Sequence, residues 1–433
     1  MDIIMKILQV VLALSLLIFI HELGHFTWAR IFGIRVEKFY LFFDIGGKAL
    51  FRYRKGDTEF GIGWLPLGGY CKISGMVDES MDLEQLKKKP QPWEFRTRPA
   101  WQRLIVMAGG IVNNFISAIL IYICIMAVWG QSYIGNKGKK IYVNELAYEM
   151  GFRNGDEILK LDDYEPDNFA FLQADIARRD VRSATVLRGP DTVRLYIDQS
   201  MIGQVLNTPY MFDLAIPFVI DSVASDGPNR NSGLRHGDKV IAFDGQTVEY
   251  LQDSRNVLHR LKDRTVDASV VRGADTVAVN VKVDTSGRIG VYMVTPEMEV
   301  KRYDLLSAIP AGCRLTFETM GGYLKDLRLI ARPQTGAYKS VGSFIAIGQV
   351  FPSSWNWYQF LHILALLSIM LGIMNLIPIP GLDGGHILFT LYEIASGRKP
   401  SDRFLAIAQM IGFILLIMLM MLAFGNDIGR LIR

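Results

Sequence analysis

The sequence predicts a multi-pass α-helical membrane protein, with four transmembrane helices and two small α+β domains inserted between the second and third. Three observations carry that prediction. Half of the 433 residues are hydrophobic and 21% are charged, where a soluble domain carries about 25% charged residues; mean hydropathy is +0.21. The apolar residues are gathered into four long runs. The polar stretch between the second and third runs repeats itself. The same composition excludes disordered, collagenous and disulfide-stapled classes. Cys71, Cys124 and Cys313 are too few and too scattered for a bridge framework or a cysteine zinc site. The 47 basic and 43 acidic residues leave a net charge of +4, which gives no reason to propose a nucleic-acid partner.

The first helix is expected over residues 4–30. From Ile7 to Ile20 the chain is apolar except for Gln9 and Ser15. No small-x-small cleavage site follows, so the segment reads as a membrane helix and not as a signal peptide. The second is expected over 103–129, interrupted only by small or amide residues such as Asn113 and Asn114. The third covers 356–383 and the fourth 404–424. A hydrocarbon core of ~30 Å needs about 20 helical residues at ~1.5 Å each, and the last three runs meet that length.

Four crossings put both termini and the insert on one side. The other side receives residues 31–100 and the short turn 396–403. Arg35, Lys38, Arg52, Arg54, Arg96 and Arg98 crowd the first of these, and Arg398, Lys399 and Arg403 the second. The positive-inside rule makes both cytoplasmic and the insert external.

Within the insert, Phe152-Arg153-Asn154-Gly155-Asp156-Glu157-Ile158-Leu159 is matched by Leu234-Arg235-His236-Gly237-Asp238-Lys239-Val240-Ile241. Arg188-Gly189-Pro190-Asp191 is matched by Arg272-Gly273-Ala274-Asp275 at nearly the same offset. Two matches at one spacing mean two copies of one domain, placed at 131–205 and 206–295. Gly-Asp opens a tight turn before a β-branched strand, and Arg-Gly-x-Asp reads as a hairpin turn. An amphipathic connecting segment, 296–352, leads to the C-terminal membrane region, 353–433.

His21-Glu22-Leu23-Gly24-His25 is H-E-x-x-H. On a helix, residues four apart share a face, so both imidazoles can reach one metal ion, with Glu22 beside them to take a proton from water. Ionisable residues inside an apolar span cost ~2.5–3.5 kcal/mol each by insertion scales, so they read as functional by default. Catalytic zinc takes three protein ligands and keeps an open position. Asp383 is the candidate third ligand. It ends Asn375-Leu376-Ile377-Pro378-Ile379-Pro380-Gly381-Leu382-Asp383, whose prolines must break a helix. Broken backbone at membrane depth is tolerated only where it is buried in protein or lines a wet cavity. The depths agree: His21 lies about 24 Å from the external end of its helix, and the third span descends from the same side. His386 is read as a packing residue near the ligands, and His236, His259 and His362 as structural.

The second copy, with Ser232-Gly233-Leu234 before its Gly-Asp and Asp244-Gly245 after it, looks like a PDZ domain; the first reads Asp162-Asp163 in place of the Asp-Gly. H-E-x-x-H in the first span, N-x-x-P-x-P-x-L-D-G in the third and PDZ copies between them resemble the site-2 protease family, in its bacterial sigma-E-regulating branch. That resemblance covers essentially the whole chain. It implies an intramembrane zinc metalloprotease of the bacterial inner membrane, with one zinc held by His21, His25 and Asp383 and Glu22 as general base. It implies single-span membrane proteins as substrates, anti-sigma-factor-like proteins or remnant signal peptides, cut as the second step of a cascade. Asn375, Pro378 and Pro380 resemble the family's substrate-positioning segment. Gly109-Gly110-Ile111-Val112-Asn113-Asn114 resembles its G-x-x-x-N packing motif, carried by Gly109, Asn113 and Asn114. Residues 50–75, with Gly63, Trp64, Leu65, Gly69 and Tyr70, resemble its membrane-entering β-hairpin. Alternating apolar residues around Pro66-Leu67-Gly68-Gly69 suggest a hairpin turn there and an edge able to hold an extended substrate. One departure is Ser340-Val341-Gly342-Ser343-Phe344-Ile345, where the family shows a Gly-Pro-Ile motif. Two other readings stay open on sequence: a PDZ-bearing membrane adaptor with a structural zinc, and a metalloprotease with a downstream glutamate as third ligand.

Overall fold

The computed structural model of the chain describes residues 2–76, 89–296, 298–333, 338 and 341–432. It divides into two compact units, one made of residues 1–131, 301–331 and 338–433 and the other of 132–300 and 332–337.

In the first unit, four helices among the described residues are long and apolar enough to cross a membrane, at 3–31, 100–128, 357–376 and 403–429. Helix α1 spans Asp2–Ile31 and stops before Gly33, whose φ is +66°, a left-handed end that glycine takes without a Cβ penalty. Four strands follow: β1 (Val36–Phe43), β2 (Ala49–Lys55), β3 (Thr58–Gly63) and β4 (Leu65–Ile73). Helix α2, Ala100–Val128, begins directly after Pro99, which lacks the N–H that a helix interior would use.

The sheet order is β2-β3-β1-β4, with β1 parallel to β3 and antiparallel to β4. This corrects the expected hairpin. Pro66, Gly68 and Gly69 lie inside β4 and make no turn. β3 and β4 do not pair with each other; they flank β1 on opposite sides. The true hairpin joins β2 to β3, where Lys55 faces Thr58. β4 is nevertheless an edge strand, and edges are where proline is tolerated. One face of the sheet is apolar: Phe39 packs against Phe19 and Phe26 of α1 at ring-centroid distances of 5.7 and 5.4 Å. The other face is polar. There Tyr70 donates to Asp44 (2.7 Å), Lys38 pairs with Asp44 (2.6 Å) and Tyr40 donates to Glu59.

Helix α3 (Leu305–Ile330) carries Asp304 and Ser307 as a capping box and packs against α2 at Gly312. Helix α4, Phe344–Val350, starts at Ser343, whose N–H and hydroxyl both donate to Asp427. Of the departing segment, Ser340 lies outside the described residues. Helix α5 spans Trp357–Leu376. It ends seven residues before the expected 383 because the residue before a proline is pushed out of the α region, and Ile377 is extended (φ −61°, ψ 133°). Helix α6 (Asp383–Ser396) is separate and ends at left-handed Gly397. Helix α7 (Asp402–Ile432) runs further in both directions than the expected 404–424.

The second unit carries the repeat. In the first copy, β5 (Glu157–Leu161), β6 (Ser183–Arg188) and β7 (Asp191–Tyr196) form one antiparallel sheet. In the second, β8 (Lys239–Phe243), β9 (Gln246–Thr247), β10 (Thr265–Arg272) and β11 (Asp275–Lys282) do the same. The matched residues make matched bonds. Arg188 donates twice to fully buried Asp156 (2.8 and 2.8 Å) and once to the Gly151 carbonyl (2.9 Å). Arg272 donates twice to Asp238 (2.7 and 2.7 Å) and once to the Gly233 carbonyl (2.9 Å). The motif therefore names a buried ion pair as well as two turns. Asp162, in the position of Asp244, also holds positive φ and accepts backbone N–H groups across the sheet.

Candidate metal centre

An apolar helix offers its polar side chains no water, so they must find partners on neighbouring elements. Three helices supply such partners here. α1 and α2 cross where Gly24 meets Gly109 and Gly110 at backbone contact. A Cβ at Gly110 would stand 2.5 Å from His25 Nε2 and 2.7 Å from His21 Cε1. The absence of that carbon makes room in front of both imidazoles. α6 then brings Asp383 in from its first turn, where the positive end of the helix dipole favours a carboxylate. Arg103, near the start of α2, pairs with Glu393 near the end of α6 at 2.5 Å and holds that helix in place.

The three side chains meet. His21 Nε2 lies 3.2 Å from Asp383 Oδ2, His25 Nε2 lies 3.3 Å from the same oxygen, and the two Nε2 atoms are 3.3 Å apart. All three residues are nearly enclosed, with side chains 10%, 7% and 15% exposed. Among the described residues they form the group of His, Cys, Asp and Glu able to hold a metal ion.

The arrangement asks for a cation. His25 Nδ1 lies 2.9 Å from the Val106 carbonyl oxygen. A carbonyl only accepts, so Nδ1 carries the proton of the neutral ring and Nε2 presents a lone pair. That lone pair faces the Asp383 oxygen, which is buried and has no hydrogen-bond partner. Electron pairs packed this closely repel unless a positive charge sits among them. Zinc bonds of about 2.0–2.1 Å in tetrahedral geometry set ligand-to-ligand edges of about 3.3 Å, which matches the triangle found. The residues therefore fit zinc.

Glu22 is the neighbour of His21 on α1 and accepts the Cys71 backbone N–H from β4. The free edge of β4 thus runs past the candidate base. Gly69, two residues along the same strand, faces Ile18 of α1. Trp64 stands at the bend between β3 and β4 and donates to the Ile45 carbonyl at 3.0 Å. Gly63 is packed on the Phe43 backbone, and Leu65 begins β4 opposite Phe43. Tyr70 points to the polar face, away from α1, into the cluster with Tyr40 and Asp44.

Asn375 is half-buried in the last turn of α5, with Pro378 and Pro380 just beyond in the 377–382 break. Gly412 of α7 lies directly against the Pro380 carbonyl. Asn113 donates to the Ile20 carbonyl (3.1 Å), and fully buried Asn114 reaches His21 Nδ1 (3.0 Å). His386 lies outside the ligand triangle and lines a small cavity with Arg103, Thr390, Glu393 and Gln409. His236 bonds the Asp221 carbonyl and His362 packs between Tyr122 and Tyr358.

Four contributors were not singled out by the sequence reading. Gly110, Ser117 and Ser368 carry the signal of small or polar residues inside apolar runs, but nothing in a run says which of them touch the site. The Cys71 N–H has no sequence signal, because any residue other than proline could supply it.

Comparisons with known proteins give the family of the chain. A family model for peptidase family M50 matches residues 9–419. The regulator of sigma-E protease RseP of Salmonella typhimurium is 30% identical over 97% of this chain and 98% of its own length. A Ralstonia nicotianae chain provisionally named a zinc metalloprotease is 28% identical over 99% of both. The chain belongs to peptidase family M50, the site-2 proteases, and is a zinc metalloprotease with four membrane-capable helices among its described residues.

Proposed function

We propose that this chain cleaves single-span membrane proteins within the bacterial inner membrane, as the second step of regulated intramembrane proteolysis. Its substrates are anti-sigma-factor-like proteins, remnant signal peptides, or both; the sigma-E regulation named for its Salmonella relatives supports the first class. One zinc per chain is held by His21, His25 and Asp383. When bound, it supplies Lewis-acid chemistry, acidifying water and polarising a peptide carbonyl. Glu22 takes the proton from the attacking water and passes it to the leaving amine. The Cys71 N–H keeps the Glu22 carboxylate turned toward β4, beside the path of an incoming strand.

A helical substrate hides its carbonyls, so it must unwind before it can react. The edge of β4, with Gly63, Trp64, Leu65, Gly69 and Tyr70 on or next to it, takes up the extended segment by strand addition. Asn375, Pro378 and Pro380 position the extended segment, the role that their resemblance to the family's motif implies. Gly109, Asn113 and Asn114 pack the helices that carry the ligands. The two inserted domains are PDZ-like; they lie outside the membrane with both termini, and act as a size filter or bind extended peptides.

The convergence of two imidazole nitrogens and a carboxylate oxygen within 3.3 Å of one another, beside Glu22 and with both imidazoles on a helix apolar enough for lipid, carries this reading. The test is cleavage of a single-span substrate by the purified chain in proteoliposomes. Cleavage should stop when zinc is stripped by a chelator and return when zinc alone is added back. Full cleavage by the stripped protein, or cleavage confined to soluble segments of the substrate, would contradict it.

A further inference from the structure

The side chain of Asn114 does more than fill space between helices. It is fully buried in α2, and its amide lies against His21 Nδ1, the ring nitrogen on the far side from Asp383. Its backbone carbonyl is gripped from two sides: Ser117 donates to it at 2.9 Å, Ser368 of α5 donates at 2.8 Å, and the two hydroxyls are 2.7 Å apart. Three spans are thereby joined at one residue, whose side chain ends on a ligand imidazole.

An interhelical hydrogen bond inside a membrane contributes little on average, so helix packing alone is a weak reason for this arrangement. The amide has two ends of nearly the same shape, and they do opposite things to His21. With Nδ2 toward Nδ1, as found at 3.0 Å, Nδ1 accepts and the ring proton sits on Nε2, which lies 3.2 Å from Asp383 and then has no lone pair to offer a metal. Asn114 Oδ1 is then left without a partner. A half-turn of the amide presents Oδ1 instead. Nδ1–H then donates to it, and Nε2 is left with the lone pair that a metal ligand needs. The two orientations occupy the same space, so nothing in the packing favours the first over the second.

We propose that Asn114 is a positioning residue: its amide oxygen accepts from His21 Nδ1–H and so fixes the ring tautomer in which Nε2 is free to bind zinc. Val106 does the same for His25 through its backbone carbonyl, so each imidazole has its own acceptor. Ser117 and Ser368 hold the α-carbon of Asn114 at the depth this requires. The proposal rests on zinc being held by His21, His25 and Asp383.

Zinc affinity, measured in detergent by competition with a chromogenic chelator, tests it through two substitutions. Asn114→Asp keeps an acceptor and abolishes the donor; it should hold zinc within about threefold of the unsubstituted chain. Asn114→Leu keeps the size and removes the acceptor; it should weaken zinc binding ~10- to 100-fold, the usual effect of losing a partner of this kind. Equal affinity in Asn114→Leu and the unsubstituted chain would overturn the proposal, as would an Asp variant as weak as the Leu variant. An unsubstituted chain that binds no zinc would instead overturn the metal reading beneath it.

Discussion

At the scale of single residues, the centre depends as much on what is missing as on what is present. Gly110 leaves open the volume that His21 and His25 face, and an added Cβ would lie 2.5 Å from His25 Nε2. Overpacking of this kind costs about 1–3 kcal/mol, so Gly110→Ala should lower zinc affinity roughly 10- to 100-fold with every ligand intact. Metal titration of the purified variant checks this, and unchanged affinity would show that the crossing has slack. H-E-x-x-H was legible in the sequence because its spacing is local and helical, so His21, Glu22 and His25 come together on one turn. Asp383 was legible because a carboxylate beside two prolines at membrane depth is too costly to keep there without a ligand's role. Gly110 was not, since one glycine among several in an apolar run looks like the next. Tyr70 is the reverse case: it belongs to the segment that flanks the site, while its side chain faces the other way.

At the scale of elements, the helices were legible and the sheet was not. Four runs of apolar residues give four helices because only a helix satisfies every backbone group within one segment. Their ends moved where a local rule overrides hydropathy, as at Ile377 before Pro378. The turn expected within residues 50–75 was misplaced at Pro66–Gly69 because alternation reports which face is apolar and says nothing of which strand lies alongside. β1, far more distant in sequence than β3, is the partner that β4 takes. The duplicated domain was legible as a repeat, while the role of its Arg and Asp residues emerged only when they met across the sheet. That pair sets an acid limit. The Arg272 hydrogen bonds hold the Asp238 carboxyl below the usual carboxylate range, against the effect of burial. A depressed folded value means the unfolded chain takes the proton first as pH falls. The contribution is therefore complete above the ordinary carboxylate value of about 3.9 and disappears as pH drops through the lower folded value. Hydrogen exchange across β8–β11 should rise in that window, and Asp238→Asn should raise exchange at neutral pH and flatten its dependence on acid. Exchange unaffected by the substitution would make the pair a bystander.

At the scale of the whole molecule, the composition average hides two different solvents. The unit that holds the candidate metal residues is made of apolar helices and one four-stranded sheet, and the inserted unit has its own core and buried Arg–Asp pairs. Among the polar side chains within the apolar spans, seven are engaged around one point: His21, Glu22, His25, Asn113, Asn114, Ser117 and Ser368. The central claim is that this point binds zinc through three ligands and uses Glu22, which is not one of them, to move protons. The measurement that tests it most directly is zinc content and substrate turnover on the same preparation of Glu22→Gln. The account predicts one zinc per chain, as in the unsubstituted protein, with cleavage of a single-span substrate lost by at least ~100-fold, the lower end of a general base's contribution. A Glu22→Gln chain that still cleaves at the normal rate, or that loses its zinc along with its activity, would contradict it.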